Sequence, residues 1–202
     1  MFALVIENET KKTAAMSFLI ILSPFITVAC LLAFTSASIS LFAGCAVALA
    51  LVGVDLWRGR EVKMLPAGCV VLFAALGGYQ GLIEHEWSDF SIRLAIDVGM
   101  LAIALVSIAM KMPFTLQYAR EQVDAETMRE PEFLRVNYVL SWAWVGAMLL
   151  MLVADIFMIY FPALPLWTGF VAIYLARNAA IYFTKWYSNR WIGKARAVGL
   201  KA

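Results

Sequence analysis

Residues 39–63 read ISLFAGCAVALALVGVDLWRGREVK, an apolar stretch over 39–57 followed by a connection that carries Arg58, Arg60 and Lys63. A helix needs roughly 20 apolar residues to cross about 30 Å of hydrocarbon. In lipid every backbone N–H and C=O group has to be paired within its own segment, so such a stretch forms a helix. These residues therefore predict a membrane-spanning helix with a basic end.

The composition extends this prediction to the whole chain. Its 202 residues are 63% hydrophobic and 15% charged, with a mean hydropathy of +0.83. A soluble domain is about half apolar and a quarter charged. Together with residues 39–57, the predicted spans are 16–34, 64–83, 92–110, 135–161 and 165–186. The sequence therefore predicts an all-α integral membrane protein, a bundle of six transmembrane helices in one polytopic domain over residues 1–202.

The basic residues predict an orientation. Of the 16 Lys and Arg residues, all except Arg93, Arg177 and Lys185 lie before the first span, beside the second or fourth connection, or after the last span. Basic residues accumulate on the cytoplasmic side of membrane proteins, so we expect both termini in the cytoplasm. The formal net charge of +2 fits this bias and does not indicate a nucleic-acid partner.

The fourth connection contains an amphipathic segment. Pro113 suits the first turn of a helix, and Phe114, Tyr118 and Val123 recur at helical spacing among charged residues. We expect a short helix over residues 113–128 that lies on the cytoplasmic membrane surface and contacts lipids. The alternative is an element that docks a partner protein.

Four polar residues inside the spans are candidates for a site, since burying them in lipid is costly. They are Gln80, Asp97, Asp155 and Arg177. Their depths allow an Asp155–Arg177 ion pair, and Arg93 is one turn from Asp97, which allows a local pair. One interpretation is a structural salt bridge that fixes helix register. The other is an intramembrane site for a solute or a proton.

Two further features concern the helices themselves. Gly77 and Gly81 have the GxxxG spacing, which lets helix backbones approach closely. Pro24 interrupts the first span and is expected to kink it, with Ser23 or Thr27 satisfying freed carbonyl groups.

No motif for catalysis emerges from the sequence. His85 lies between Glu84 and Glu86, but adjacent positions seldom converge on one ion, so a solvated loop is favoured over a metal site. The chain has no HExxH, CxxC or phosphate-binding glycine loop. We therefore expect no enzymatic activity, cofactor or metal.

The order of several features resembles a known family. The proline in the first span precedes a very short turn, and the second span ends in Asp55-Leu-Trp-Arg-Gly-Arg-Glu-Val-Lys-Met64. Further along are the paired glycines of the third span, the acidic loop with His85, Lys111-Met-Pro113, Val136-Asn137 and Trp142-Ala143. This pattern, over most of residues 16–190, is similar to the septation protein A family of bacterial inner-membrane proteins.

The resemblance implies a non-enzymatic protein of the bacterial inner membrane that acts in septation or cell-envelope maintenance. Its partners would be membrane lipids and division or cell-wall synthesis proteins. The alternative from the residues themselves is a small-solute or ion transporter or channel that uses the polar cluster. Six helices enclose little space, so a pore would lie between the protomers of a homo-oligomer.

Overall fold

The computed structural model describes residues 22–82, 87–123, 125–161 and 165–197. Most of these residues are helical, and no strand occurs among them. The first helix, α1, is described over Leu22–Leu32. The others are α2 (Ala37–Trp57), α3 (Met64–Leu82), α4 (Asp89–Ala109), α5 (Phe114–Ala119), α6 (Pro131–Tyr160) and α7 (Leu166–Ala197). Two 3₁₀ turns, Arg120–Gln122 and Thr127–Arg129, lie between α5 and α6.

Four of these helices, α2, α3, α4 and α6, are long and apolar enough to cross a membrane. They coincide with the predicted spans 39–57, 64–83, 92–110 and 135–161, which confirms the prediction of a helical membrane protein. The predicted first span, 16–34, lies partly outside the described residues. The last helix, α7, is 32 residues long, but its second half is rich in basic residues, which lowers its mean hydropathy. The count of six spans and the cytoplasmic termini stay predictions.

The chain divides into two compact units. The first contains α1, α2 and α3 from Pro66 onwards, and the second contains Lys63–Leu65 and the chain from Phe90 onwards, which includes α4 to α7.

In the first unit the helices approach closely at glycines. A side chain at Gly44 would collide with Val28 and would lie 3.2 Å from the carbonyl oxygen of Pro24. A Cβ at Gly77 would be 3.3 Å from Leu41. The Ser38 hydroxyl donates to the Gly77 carbonyl at 2.9 Å. The absence of side chains at these positions therefore lets α2 pack against both of its neighbours.

The second unit is built on α6. Ala104 of α4, Phe114 of α5 and Val145 of α6 form a buried cluster. Trp144 packs against this cluster, and its indole N–H donates to the Thr184 hydroxyl of α7 at 3.1 Å. A Cβ at Gly169 would lie 2.5 Å from Met158, so the end of α6 and the start of α7 are also in close contact.

The segment between α4 and α6 differs from the predicted surface helix over 113–128. Only six of its residues form an α-helix, and Phe114 and Leu116 are buried in protein. The Phe114 N–H donates to the Ser107 hydroxyl at 3.2 Å. The Thr115 hydroxyl donates to the Asn137 carbonyl at 2.8 Å. These hydroxyl contacts tie α5 to α4 and α6, so the face expected to contact lipid packs inside the second unit.

Candidate functional site

An ion pair with a buried acid joins α4 to α6. The Arg93 Nε atom lies 3.3 Å from Asp155 Oδ1, and the Asp155 side chain is 4% exposed. By helical rise, Arg93 is about 6 Å from the start of α4, and Asp155 is about 8 Å from the end of α6. The start of α4 therefore meets the end of α6, as expected for antiparallel neighbours.

A second carboxyl group lies beside this pair. Asp97 follows Arg93 by one turn of α4, and its carboxyl group lies close enough to the Asp155 carboxyl group for the two to interact. The other oxygen of Asp155, Oδ2, is buried and has no hydrogen-bond partner among the described residues. Arg93, Asp97 and Asp155, here called the carboxyl centre, thus combine two acids with one base. With both acids ionised, one negative charge is left uncompensated.

The third helix at the centre is α7. The Arg93 guanidinium lies over the Phe170 ring, with 5.7 Å from its carbon to the ring centroid. An arginine over an aromatic face gains a cation–π attraction, which is strongest where water is excluded. The ring therefore holds Arg93 from the side of α7 while Asp155 holds it from α6.

Arg177 is placed differently from the sequence expectation. Its side chain is exposed and its guanidinium lies over the Tyr174 ring at 5.7 Å. The basic partner of Asp155 is Arg93, and the local Arg93–Asp97 pair allowed by the sequence gives way to this contact between helices. The structure thus brings Asp97 and Asp155 together and leaves Arg177 without an ion pair to any described residue.

The remaining candidates lie in the first unit. Gln80 is buried on α3, and its Nε2 atom has no hydrogen-bond partner within the described ranges. Gly77 and Gly81 lie on the side of α3 that faces α2, where a Cβ at Gly81 would be 3.1 Å from the Ser38 hydroxyl. Pro24 is fully buried, and the Thr27 hydroxyl donates to the Ser23 carbonyl at 2.8 Å.

A second polar cluster was not anticipated from the sequence. Lys63 is 8% exposed on its side chain and lies 2.9 Å from Glu121. Its ammonium group is also 5.6 Å from the centroid of the Tyr118 ring. The Met64 N–H donates to the Gln117 side-chain oxygen at 2.8 Å. A basic residue in a short connection is usually solvated, so only the packing of α5 reveals that Lys63 is buried.

The described residues contain no group of three or more His, Cys, Asp or Glu that could hold a metal ion. Residues 84–86, which include His85, lie outside the described ranges.

Comparisons with known protein families, curated proteins and solved structures found no match for this chain.

Proposed function

We propose that this chain is a small transporter or channel of the bacterial inner membrane, in which the carboxyl centre binds and releases a proton or a small cation. The observation that carries this proposal is the second acid beside the ion pair of Arg93 with the buried Asp155. A charge inside the bilayer is costly, and ionisable residues found there often serve ion pathways. A structural salt bridge needs one acid for each base, whereas this centre has an extra carboxyl group.

The atoms of the centre fit this role. Asp155 Oδ2 is buried and unpartnered in the described structure, so it can accept a hydrogen bond or coordinate a cation. Two carboxylates close together in a medium of low dielectric repel each other strongly. A bound proton or cation would remove the repulsion and neutralise the centre.

The proposed topology has six spans and cytoplasmic termini. It adds α1 and the apolar first half of α7 to the four apolar helices, and the distribution of Lys and Arg supports the orientation. Reporter fusions at residues 36 and 60 test it. Alkaline phosphatase should be active only at residue 36, and green fluorescent protein should fluoresce only at residue 60. The reverse pattern would contradict the orientation.

Flux measurements in proteoliposomes test the function. With an internal pH-sensitive dye and an imposed Na⁺ or K⁺ gradient, we expect flux above that of empty vesicles. Asp97→Asn and Asp155→Asn should each lower it at least tenfold. Glu132→Gln is the matched control, since Glu132 is an exposed carboxylate on α6. Wild-type vesicles that carry no flux, or an Asp97→Asn variant equal to wild type, would make the centre purely structural.

A second proposal is a non-enzymatic role in septation or envelope maintenance through contacts with lipids and division or wall-synthesis proteins. Its support is the resemblance to septation protein A proteins, together with the exposed Trp186 ring under the Arg190 guanidinium at 5.5 Å. Such aromatic and basic side chains suit a membrane interface. Cell length and septum shape in a deletion strain test this role. Equal rescue by wild type and Asp155→Asn would favour the envelope role over transport.

A further inference from the structure

One face of α7 contacts the carboxyl centre at Phe170. Phe170, Tyr174 and Arg177 are spaced four and three residues apart, which places them on one side of the helix. Phe170 contacts the Arg93 guanidinium at 5.7 Å, and Tyr174 contacts the Arg177 guanidinium at 5.7 Å. The side of α7 that contacts Arg93 through Phe170 therefore carries Arg177 two helical turns further along.

The directions of α4 and α7 determine how far apart Asp97 and Arg177 lie along the helix axes. Residues late in α4 pack near the middle of α6, and Trp144 of α6 contacts Thr184, late in α7. Both helices are thus antiparallel to α6 and parallel to each other. Asp97 is about 6 Å beyond Arg93, and Arg177 is about 10 Å beyond Phe170, in the same direction. Asp97 and Arg177 are therefore separated by only about 4 Å along the direction of the helix axes.

These two groups have opposite charges that the protomer does not compensate. The Asp155 charge is balanced by Arg93, which leaves the Asp97 carboxyl group in excess. Arg177 makes no ion pair with any described residue, although it lies about 16 Å from the start of α7. Isolated charges at such depth are costly, and the exposed rings of Phe170 and Tyr174 leave room for a bound molecule beside them.

We propose that this face binds a ligand carrying both an ammonium group and an acidic group. The ammonium group would contact the Asp97 carboxyl group, which lies beside the buried and unpartnered Asp155 Oδ2. The acidic group would contact Arg177, because guanidinium pairs well with carboxylate and phosphate. This inference rests on the proposed transport function and specifies the cation as the ammonium group of a zwitterion.

Two sources supply this chemistry. One is a free solute of the amino-acid type, and the other is the ethanolamine phosphate headgroup of a phospholipid. The experiment separates them by using nanodiscs of phosphatidylglycerol, whose lipids carry no ammonium group. Calorimetric titration with glycine, phosphoethanolamine, ethylamine and acetate measures free ligands. Native mass spectrometry after addition of phosphatidylethanolamine measures retained lipid.

We expect wild type to bind at least one zwitterion, free or lipid, at least tenfold more tightly than ethylamine or acetate. Asp97→Asn and Arg177→Gln should each weaken that binding at least tenfold. Arg190→Gln is the matched control, since Arg190 lies on α7 and also stacks on an aromatic ring, and it should bind like wild type.

Three results would overturn the proposal: no zwitterion binds, ethylamine binds equally well, or Arg177→Gln binds like wild type. In each case, proton or cation flux that still depends on Asp97 would leave the proposed function standing, so the two failures are distinguishable.

Discussion

The Arg93 guanidinium lies 3.3 Å from the Asp155 carboxylate, and the acid is far more deeply buried than the base, with side chains 4% and 36% exposed. This asymmetry determines what each deletion leaves behind. Without Arg93, a buried carboxylate loses its counter-charge. Without the Asp155 charge, Arg93 can still reach a more polar environment, since long basic side chains extend towards water.

We predict that Arg93→Gln lowers the free energy of unfolding by about 1–3 kcal/mol, between the ranges for exposed and buried pairs. Asp155→Asn should cost less, and the double variant should be more stable than the sum of the two single effects implies. Thermal unfolding in detergent, followed by circular dichroism, measures all three variants. Arg177→Gln is the control and should change stability little. Strict additivity of the single effects would show that the two side chains do not interact.

Close helix contacts in the first unit give a second prediction. Gly44→Ala adds a Cβ that collides with Val28 and approaches the Pro24 carbonyl, so it should destabilise the fold by about 1–3 kcal/mol. Gly53 lies on the same helix with no atom within 4 Å of an added Cβ. Gly53→Ala should therefore be neutral or stabilise by up to about 1 kcal/mol. Equal melting temperatures for the two variants would contradict the packing of α2 against α1.

The long apolar segments were predictable because their signal is local. Residues 39–57 and 64–83 carry enough apolar side chains to span a bilayer, and the structure forms α2 and α3 there. The partner of Arg93 was not predictable in this way. The sequence places Asp97 one turn away, whereas the contact with Asp155 depends on which faces of α4 and α6 meet.

The segment after α4 shows the same limit. The spacing of Phe114 and Tyr118 indicates an apolar face, but it does not say whether lipid or protein covers that face. The answer depends on Ser107 and Thr115, whose hydroxyl groups bind backbone atoms of neighbouring segments. Short polar side chains carry no periodic signal, so their role emerges only when the helices are packed together.

Backbone conformation gives a third prediction, at the ends of α2 and α4. Lys111 has φ 59° and Gly59 has φ 66°, a left-handed conformation in which a side chain is disfavoured by about 1–2 kcal/mol. Both helices end with the same pair of backbone hydrogen bonds, one to the carbonyl three residues back and one to the carbonyl five residues back. In α2, Gly59 N–H donates to Leu56 O and Arg60 N–H donates to Asp55 O. In α4, Lys111 N–H donates to Ile108 O and Met112 N–H donates to Ser107 O. Of these two helices, only α2 has a glycine at the left-handed position, the residue type that most often ends a helix in this way.

Lys111→Gly should therefore raise the free energy of unfolding by about 0.5–1 kcal/mol. The substitution relieves the backbone strain of the folded state, but glycine also increases the conformational entropy of the unfolded chain, which offsets part of the gain. Gly59→Ala should lower it by about 1 kcal/mol. Thermal unfolding measures both variants. A Lys111→Gly variant less stable than wild type would mean that the lysine side chain makes contacts worth more than the backbone strain.

The last prediction concerns Lys63, which is 8% exposed and lies 2.9 Å from the more exposed Glu121. Because the base is the buried partner here, removing the acid should be the costlier change. Glu121→Gln leaves a buried ammonium group with less compensation and should lower stability by about 1–2 kcal/mol.

Lys63→Met removes the buried charge while keeping the length of the side chain, and Glu121 can then turn to solvent, so we expect a smaller loss. Glu132→Gln is the control because the Glu132–Arg135 pair is 3.7 Å long and exposed on both sides, and such pairs contribute about 0–1 kcal/mol. Unfolding at low and high salt separates the two pairs, since salt screens the exposed pair more strongly. If Lys63→Met proved costlier than Glu121→Gln, the burial of Lys63 would stabilise the connection between α2 and α3 through its contact with the Tyr118 ring more than through its charge.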